Sequence, residues 1–276
     1  MTRPAHEETL LRLSSLDFSW DIERALEFAL FRTYAVPSIS GLLAKTGEFE
    51  SRTRKRYDDT ELILSEILEH GPDSVRGQAA LARMNAMHGA YRIANEDMLY
   101  VLSTFVFEPI RWIESHGWRR LTEVERQAIF AYFRDLGGRM GIRDIPKDLE
   151  SFEAFNRRFE AERFAPAESN ARIARATTDL LIGFYLPARL VPLGRPLVAT
   201  MMDPPLRHAM GVADPPVWLA VLVPALLRMR AGVLRYLPKR RRPRYLTKVP
   251  RVTYPEGYRI SELGTFPSCC PAGRGK

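Results

Sequence analysis

Apolar residues recur every three or four positions along most of the chain, which is the spacing of amphipathic helices. The pattern is clear in residues 21–34, where Pro37 follows as a stop signal. It is also clear in residues 58–70, which begin with Asp58 and Thr60 in cap positions. It continues in residues 79–92, and Pro72 suits the first turn of that segment. We therefore predict a helix in each of these three segments.

Capping residues predict where the next helices begin. Asn95 is followed by two acidic residues, and acidic side chains are favoured in a first helical turn. Thr122 and Glu125 have the spacing of a capping box, and Asp148 is expected to cap a further helix. The central part of the chain is therefore predicted to be helical as well.

The last third of the chain is rich in proline and predicts shorter or kinked helices. Fourteen of the 20 prolines follow Pro166. Helical spacing nevertheless persists in residues 167–186, 193–202 and 217–237. Residues 252–254 give one modest strand signal.

No alternating strand–helix pattern and no internal repeat is visible, so we predict an all-α fold. We expect one multi-helix globular domain, residues 15–237, followed by a basic, proline-rich C-terminal tail, residues 238–276. Of the 276 residues, 46% are hydrophobic and 27% are charged, which is ordinary globular composition and excludes intrinsic disorder of the body.

The charge is concentrated in one region. The formal net charge is +8, but residues 215–255 hold ten basic residues and no Asp or Glu. The ten are Arg228, Arg230, Arg235, Lys239, Arg240, Arg241, Arg242, Arg244, Lys248 and Arg251. A nucleic-acid-binding protein usually carries its basic face across the folded domain, so we expect no nucleic-acid partner. The run is either a solvated tail or a peripheral contact of residues 217–251 with an anionic membrane.

The sequence favours a cytoplasmic protein that is either soluble or associated with a membrane surface. Its two cysteines, Cys269 and Cys270, are adjacent, which disfavours a disulfide. Residues 1–10 have no apolar core of a signal peptide. The most apolar run, residues 217–227, is broken by Pro224 and is shorter than the roughly 20 residues that span a bilayer. We therefore expect no transmembrane helix.

One histidine is placed where it could bind a cofactor. His88 lies within the helix predicted for residues 79–92, on the face that also carries Leu81, Met84 and Tyr91. An imidazole on an apolar face can be an axial ligand of a haem iron. The alternative is a hydrogen-bonded core histidine. The chain has no P-loop, dinucleotide-binding glycine motif, nucleophile elbow or zinc-protease motif.

Six blocks of the sequence, in order, resemble the MpaB-type oxygenases. They are FALFRTYAVPSISGLLAKTGEF (28–49), RYDDT (56–60), RMNAMHGAYRIANEDMLYVLSTF (83–105), GWRRLTEVE (117–125), MGIRDIP (140–146) and TYPEGYRISELG (253–264). The family includes the fungal enzyme that cleaves the farnesyl chain in mycophenolic acid biosynthesis, and latex-clearing rubber oxygenases are distant relatives. The resemblance implies an all-helical oxygenase that uses O2, with haem b as the cofactor if the chain follows the rubber-oxygenase branch.

The resemblance also implies roles for particular residues. His88, within the motif N-x-x-H-G-x-Y, matches the histidine that resembles the haem ligand. Lys45 and Thr46 are similar to the Lys-Thr pair on the distal side in rubber oxygenases. That branch has an arginine three residues before the lysine, where this chain has Leu42, so the distal pocket is not fully reproduced.

Other polar residues near these motifs have two interpretations each. Asn85, one turn before His88, is a candidate to orient the imidazole or a propionate. Arg56, Arg83 and Arg92 are candidates to pair with haem propionates, or else form salt bridges between helices.

Glu27, on the first predicted helix, is either a base that removes an allylic proton or a solvated helical carboxylate. Five aromatic residues suit a pocket for a prenyl-like chain, and core packing explains them as well. They are Phe28, Phe31, Tyr34, Phe105 and Phe107.

Three functions are therefore open. The first is a haem-dependent oxygenase acting on an apolar, unsaturated, isoprenoid-like small molecule, with oxidative cleavage of a C=C bond as one outcome. His88 would then hold the iron, and O2 would bind near Lys45 and Thr46. The second is a metal-free helical protein that binds a lipid or isoprenoid. The third is a membrane-surface interaction protein that works through its basic tail.

Overall fold

The structure, a computed structural model, describes residues 3–265 and is built from α-helices. In chain order these are α1 (Ala5–Arg12), α2 (Ser19–Tyr34), α3 (Pro37–Thr46), α4 (Glu48–Ser51), α5 (Thr53–His70), α6 (Val75–Gly89), α7 (Asn95–His116), α8 (Glu123–Arg139), α9 (Leu149–Arg163), α10 (Glu168–Gly183), α11 (Val191–Ala199), α12 (Pro204–Ala209) and α13 (Val217–Tyr236). The described residues contain no strand, so the all-α prediction is confirmed. The strand signal at residues 252–254 is wrong, since Arg251 and Tyr254 form only an isolated bridge.

The long helices α2 and α7 pack against each other at the centre of the fold. Their facing residues are almost all buried, including Phe31 of α2 and Val106 and Ile113 of α7. α8 and α9 pack on α7, and α10 packs on α3, so the central pair is covered on both sides. The apolar stripes that the sequence pattern predicts are the surfaces that meet in this core.

Several helix starts differ from their predictions because the expected capping side chains have other partners. α5 begins at Thr53, and the supposed cap Asp58 is buried within the helix and paired with Arg54. Asn95 is the first residue of α7 rather than its cap, since its side chain bonds to the backbone of Arg143. The caps at Thr122 and Asp148 are confirmed, and Thr122 forms the full capping box.

α6 starts and ends earlier than its predicted range. Ser74 caps it by accepting a hydrogen bond from the backbone nitrogen of Gly77 at 3.0 Å, so Pro72 lies before the helix. A β-carbon at Gly77 would lie 1.9 Å from the carbonyl oxygen of Gly71, which explains why glycine stands there. Because α6 ends at Gly89, His88 lies in its last turn and not in its middle.

Asn170, on α10, ties four elements together. Its amide nitrogen lies 3.2 Å from the carbonyl oxygen of Ala35 and 2.8 Å from those of Ala165 and Ala209. Its amide oxygen accepts a hydrogen bond from the hydroxyl of Ser40 at 2.5 Å. Asn170 is fully buried, so it satisfies the carbonyl groups where α2, α9 and α12 end.

We expect Asn170→Ala to lower the free energy of unfolding by about 3 kcal/mol, because it leaves several buried carbonyl groups without a donor. Asn95→Ala is the matched control, since Asn95 also bonds to a backbone loop but at an exposed site, and we expect it to cost about 1 kcal/mol or less. Urea denaturation of both variants checks the difference. Equal midpoints for the two would contradict the structural role of Asn170.

Segments outside the predicted domain of residues 15–237, at both its N-terminal and C-terminal ends, pack on the helical body. α1 packs on α8, and its Leu10 belongs to the core. At the other end, Thr247, Tyr254 and Tyr258 donate hydrogen bonds to carboxylates of α5. Leu263 is fully buried. The segment from 244 to 264 is therefore not a solvated tail, whereas the tail beyond residue 265, with Cys269 and Cys270, lies outside the described residues.

α13 overturns one expectation about the membrane. Pro224 does not end the helix, which continues for 20 residues with a mean hydropathy of 1.7, and only 6% of its most apolar window is buried. By length and composition this one helix could cross a membrane. The expectation that no helix is long and apolar enough was wrong, because it counted only the apolar run up to residue 227. That the chain has no membrane-spanning helix stays a prediction.

Candidate active site

A cavity of about 490 Å³ lies between α2, α3, α5, α6, α7 and α10. This volume is within the range of about 300–1,000 Å³ that small-molecule and cofactor sites occupy. Its walls are mainly aliphatic, aromatic and methionine side chains. These include Leu30, Ile39, Leu42, Leu43, Met84, Met87, Val101 and Phe105. Gly264 and Thr265, at the end of the described chain, complete the wall.

His88 presents an unpartnered imidazole to this cavity. Its Nδ1 atom is buried and has no hydrogen-bond partner among the described residues. Burial, together with the positive charge of Arg56, lowers the pKa of His88 to about 4. The ring is therefore neutral at physiological pH, which is the form that ligates a metal. A buried polar atom without a partner suggests a missing ligand rather than the hydrogen-bonded core histidine that was the alternative.

Two of the three candidate arginines line the same cavity. Arg56 lies on α5, next to the wall residues Phe49 and Thr60, and forms no ion pair within the described part of the chain. Arg92 lies in the loop between α6 and α7, is exposed and makes no ion pair within residues 3–265 either. The alternative interpretation as helix–helix salt bridges therefore fails for both.

Arg83 and Asn85 lie on α6 but not on the cavity wall. The Arg83 guanidinium donates a hydrogen bond from Nε to the carbonyl oxygen of Leu263 at 2.7 Å, which holds the C-terminal segment against α6. Asn85 donates a hydrogen bond to the carbonyl oxygen of Arg139, the last residue of α8, at 3.0 Å. Both side chains thus fix the elements around the cavity, and their proposed contacts with a propionate remain predictions.

Lys45 and Thr46, at the end of α3, are separated by the geometry of the helix. Thr46 lines the cavity, and its hydroxyl donates a hydrogen bond to the carbonyl oxygen of Leu43 at 2.7 Å. Lys45 is exposed and does not line the cavity. Leu42, one turn earlier, does line it and adds an apolar surface there.

Glu27 is buried, so the interpretation as a solvated helical carboxylate is wrong. Burial is the largest influence on its pKa and raises it to about 8, although the guanidinium of Arg24 lies 2.8 Å away. The hydroxyl of Tyr57 donates a hydrogen bond to Glu27 Oε1 at 2.7 Å. Glu27 is not on the wall of the 490 Å³ cavity, but Tyr57 is.

A second cavity, of about 110 Å³, lies directly behind Tyr57. Tyr57 and Thr60 belong to the walls of both cavities. The wall of the smaller cavity is mostly aliphatic and aromatic, but it also includes the carboxylates of Glu23, Glu27 and Glu61. Tyr57 therefore stands between an apolar chamber that holds His88 and a smaller chamber that holds Glu27.

Sequence reasoning missed Tyr57, although it lies in the quoted block RYDDT beside Arg56. A tyrosine four residues before a glutamate on a helix carries no signal of its own.

The five aromatic residues suggested for a prenyl pocket divide into two groups. Tyr34 and Phe105 line the cavity. Phe28, Phe31 and Phe107 lie in the packed core instead.

Within residues 3–265 no three His, Cys, Asp or Glu side chains converge on a point that could hold a metal ion. Haem ligation through His88 needs only that one side chain, because the porphyrin supplies the other nitrogen ligands. The neutral imidazole, the apolar chamber and two unpaired arginines together fit an iron porphyrin with acidic side groups.

The fold and the site agree with what the chain is similar to. A family model described as "ER-bound oxygenase mpaB/B'/Rubber oxygenase, catalytic domain" matches residues 29–235. The chain belongs to this family, which confirms the resemblance seen in the six sequence blocks. The matched region covers α3 to α12 entirely, the last six residues of α2 and all of α13 but its last residue.

Three fungal relatives are similar over most of the chain. It is 35% identical to ER-bound oxygenase mpaB' of Penicillium brevicompactum, over 86% of this chain and 61% of that protein. It is 34% identical to ER-bound oxygenase mpaB of Penicillium roqueforti, over 71% of this chain and 72% of that protein. For mpaB of Penicillium brevicompactum the identity is 30%, over 78% and 62%. The chain thus spans about three fifths of the length of two of these relatives.

Proposed function

We propose that the protein is a haem-dependent oxygenase that uses O2 to oxidise an apolar, unsaturated, isoprenoid-like molecule, with cleavage of a C=C bond as the outcome. The observation that carries the proposal is the neutral, half-buried imidazole of His88, whose buried Nδ1 has no partner and which lines a large apolar cavity. Family membership supports the oxygenase class, since the relatives are named oxygenases.

In this proposal His88 would hold the haem iron, and Arg56 and Arg92 would pair with the haem propionates. Haem iron supplies the binding and activation of O2, which no amino-acid side chain provides. The chain itself supplies the apolar cavity around the haem and the substrate. Leu42, Met84 and Phe105 would exclude water and hold a hydrocarbon substrate, and Thr46 places a hydroxyl on the α3 side of the chamber.

We further propose that Tyr57 and Glu27 carry away the proton that is released when O2 oxidises an allylic C–H bond of the substrate, with the two electrons of that bond passing to O2. Tyr57 is on the cavity wall and Glu27 is behind it, so Tyr57 receives the proton on its oxygen while passing its own to Glu27 Oε1. Burial strongly raises the pKa of Tyr57, which disfavours a free phenolate, and the coupled transfer avoids one.

One prediction tests the distal side of the chamber. We expect Thr46→Val, which keeps the shape but removes the hydroxyl, to change the affinity for CO by about fivefold or more, because a hydroxyl near bound ligand is worth roughly 1 kcal/mol. We expect Lys45→Ala to change it by less than twofold, since its side chain points to solvent. Carbon monoxide titrations of both variants make the comparison, and an unchanged affinity in Thr46→Val would remove it from the site.

The metal-free lipid-binding alternative uses the same apolar cavity without His88. The visible spectrum of the purified protein, after addition of hemin, separates the two functions. A Soret band at one equivalent of hemin supports the oxygenase. Retention of an isoprenoid without any haem band would favour the carrier.

We also propose that the protein works at a membrane. The names of the fungal relatives place them at the endoplasmic reticulum membrane, and an apolar substrate partitions into lipid. A membrane location would therefore bring this enzyme to the phase that holds its substrate.

A further inference from the structure

We propose that the outer face of α13 is a docking surface that lies flat on an anionic lipid bilayer. This inference specifies the proposed membrane location and does not depend on haem. α13 is the most exposed apolar helix of the described chain. Three features of α13 support the docking surface: the direction of its apolar face, its attachment to the body and the unpaired basic residues beside it.

The apolar residues of α13 point away from the protein. Positions 218, 222, 225, 229, 233 and 236 follow one another at intervals of three or four, so they form one stripe along the helix. Every one of these residues is exposed. Trp218 and Tyr236, which are 65% and 86% exposed, stand near the two ends, where amphipathic rings suit a lipid–water interface.

α13 is attached to the body at two points on a different face, about 100° round the helix from the stripe. Leu219 is buried, and the Arg230 guanidinium pairs with the buried carboxylate of Asp21 at 2.9 Å while lying 4.0 Å from the ring centre of Trp20. A helix held to the body along one face presents only its other face to lipid. This arrangement favours a helix that lies on the bilayer over one that crosses it.

Most of the basic residues near this stripe have no acidic partner. Of the ten between residues 215 and 255, three pair with carboxylates of the body: Arg230 with Asp21, Arg244 with Glu23 and Arg251 with Glu61. The other seven are exposed and form no ion pair in the described structure. They are Arg228, Arg235, Lys239, Arg240, Arg241, Arg242 and Lys248.

The charge pattern also indicates which partner covers the apolar stripe of α13. A symmetric contact between two copies would place these cations against each other, with no Asp or Glu from 215 to 255 to compensate. An anionic bilayer provides both the apolar phase for the stripe and the negative charge for the cations. Leu193 and Leu197 of α11, which contacts α13, are exposed and extend the apolar surface.

Co-sedimentation of the full chain with vesicles tests the inference. We expect binding to vesicles containing phosphatidylserine, little binding to phosphatidylcholine alone, and loss of at least tenfold in affinity between low and high salt. Val221→Glu combined with Met229→Glu should reduce binding at least tenfold, because both exposed residues face the lipid. Neutralising residues 239–242 to glutamine should have a similar effect.

Matched variants keep the test specific. Val124→Glu changes an equally exposed apolar residue on α8, and replacing Arg120, Arg143, Lys147 and Arg175 by glutamine removes four exposed cations elsewhere. Both should bind vesicles like the wild type. Equal loss of vesicle binding in these controls would overturn the docking surface. Binding of the α13 variants at the wild-type level would overturn it as well, but would leave the proposed membrane location intact.

Three further outcomes have definite meanings. No binding of the wild type to any vesicle would overturn both the membrane location and this surface. Protein that resists extraction by high salt and alkaline carbonate would show a spanning helix and contradict peripheral docking. A dimer in solution that Val221→Glu with Met229→Glu dissolves would assign the stripe to a second copy instead.

Discussion

Replacing His88 by alanine is expected to abolish haem binding, with an affinity loss of at least 100-fold, while the far-ultraviolet circular dichroism stays helical. The imidazole is half-buried at the end of α6 and its Nδ1 makes no hydrogen bond, so its removal breaks no hydrogen bond of that atom within the described fold. Hemin titration followed at the Soret band measures the loss. Because the neutral ring is the ligating form and the pKa of His88 is about 4, wild-type haem should be released only as the pH falls toward 4.

His116 provides a matched control for this experiment. Its Nδ1 atom is also buried without a partner, and burial also lowers its pKa, but its ring packs against Trp112 and does not line the cavity. His116→Ala should therefore bind hemin as the wild type does. A His88→Ala protein with an unchanged Soret band would remove His88 as the ligand and leave the oxygenase proposal without its main support.

Removing the proton path is expected to reduce turnover by about 100-fold or more, since general acid–base catalysis typically contributes 10²–10⁴-fold. Tyr57→Phe keeps the ring but removes the hydroxyl that joins the apolar chamber to Glu27, and Glu27→Gln keeps the shape but cannot accept a proton. Both variants should retain the Soret band. Single-turnover O2 consumption with an isoprenoid substrate measures the effect.

The pH dependence gives this prediction a definite sign. Glu27 accepts the proton only when ionised, and burial raises its pKa to about 8, so wild-type turnover should rise as the pH increases through 8. Glu61, whose negative charge raises the pKa of Glu27, is the matched control. Glu61→Gln should keep turnover within a few-fold and move the rise to lower pH. A flat profile in the wild type, or full activity in Tyr57→Phe, would refute the path.

Much of the fold follows from local sequence. The three-to-four spacing of apolar residues gave α2, α9 and α13 within two residues of their ends, because an amphipathic stripe and a stop signal are both local properties. The capping box at Thr122 was equally readable. The same reasoning failed where a side chain with capping chemistry had a better tertiary partner, as Asp58 has in Arg54.

The candidate site was predicted in part. His88, Arg56 and Thr46 were found from motifs and do share one cavity. Lys45 was named with Thr46 because the two are adjacent in sequence, yet adjacent residues on a helix point about 100° apart, and Lys45 is exposed. Tyr57 had no local signal, since its role depends on Glu27, 30 residues away on another helix.

The sequence by itself determined that the chain is helical, that its positive charge is concentrated in one region and that His88 is the first candidate for a ligand. Periodicity, composition and motif spacing are contained in the order of residues, and no contact between distant segments is needed to read them. Tertiary structure alone decided that Glu27 is buried behind Tyr57 and that three of the ten basic residues pair with the body. Burial and pairing depend on which helices pack together, and this packing also turned the apolar stripe of α13 outward.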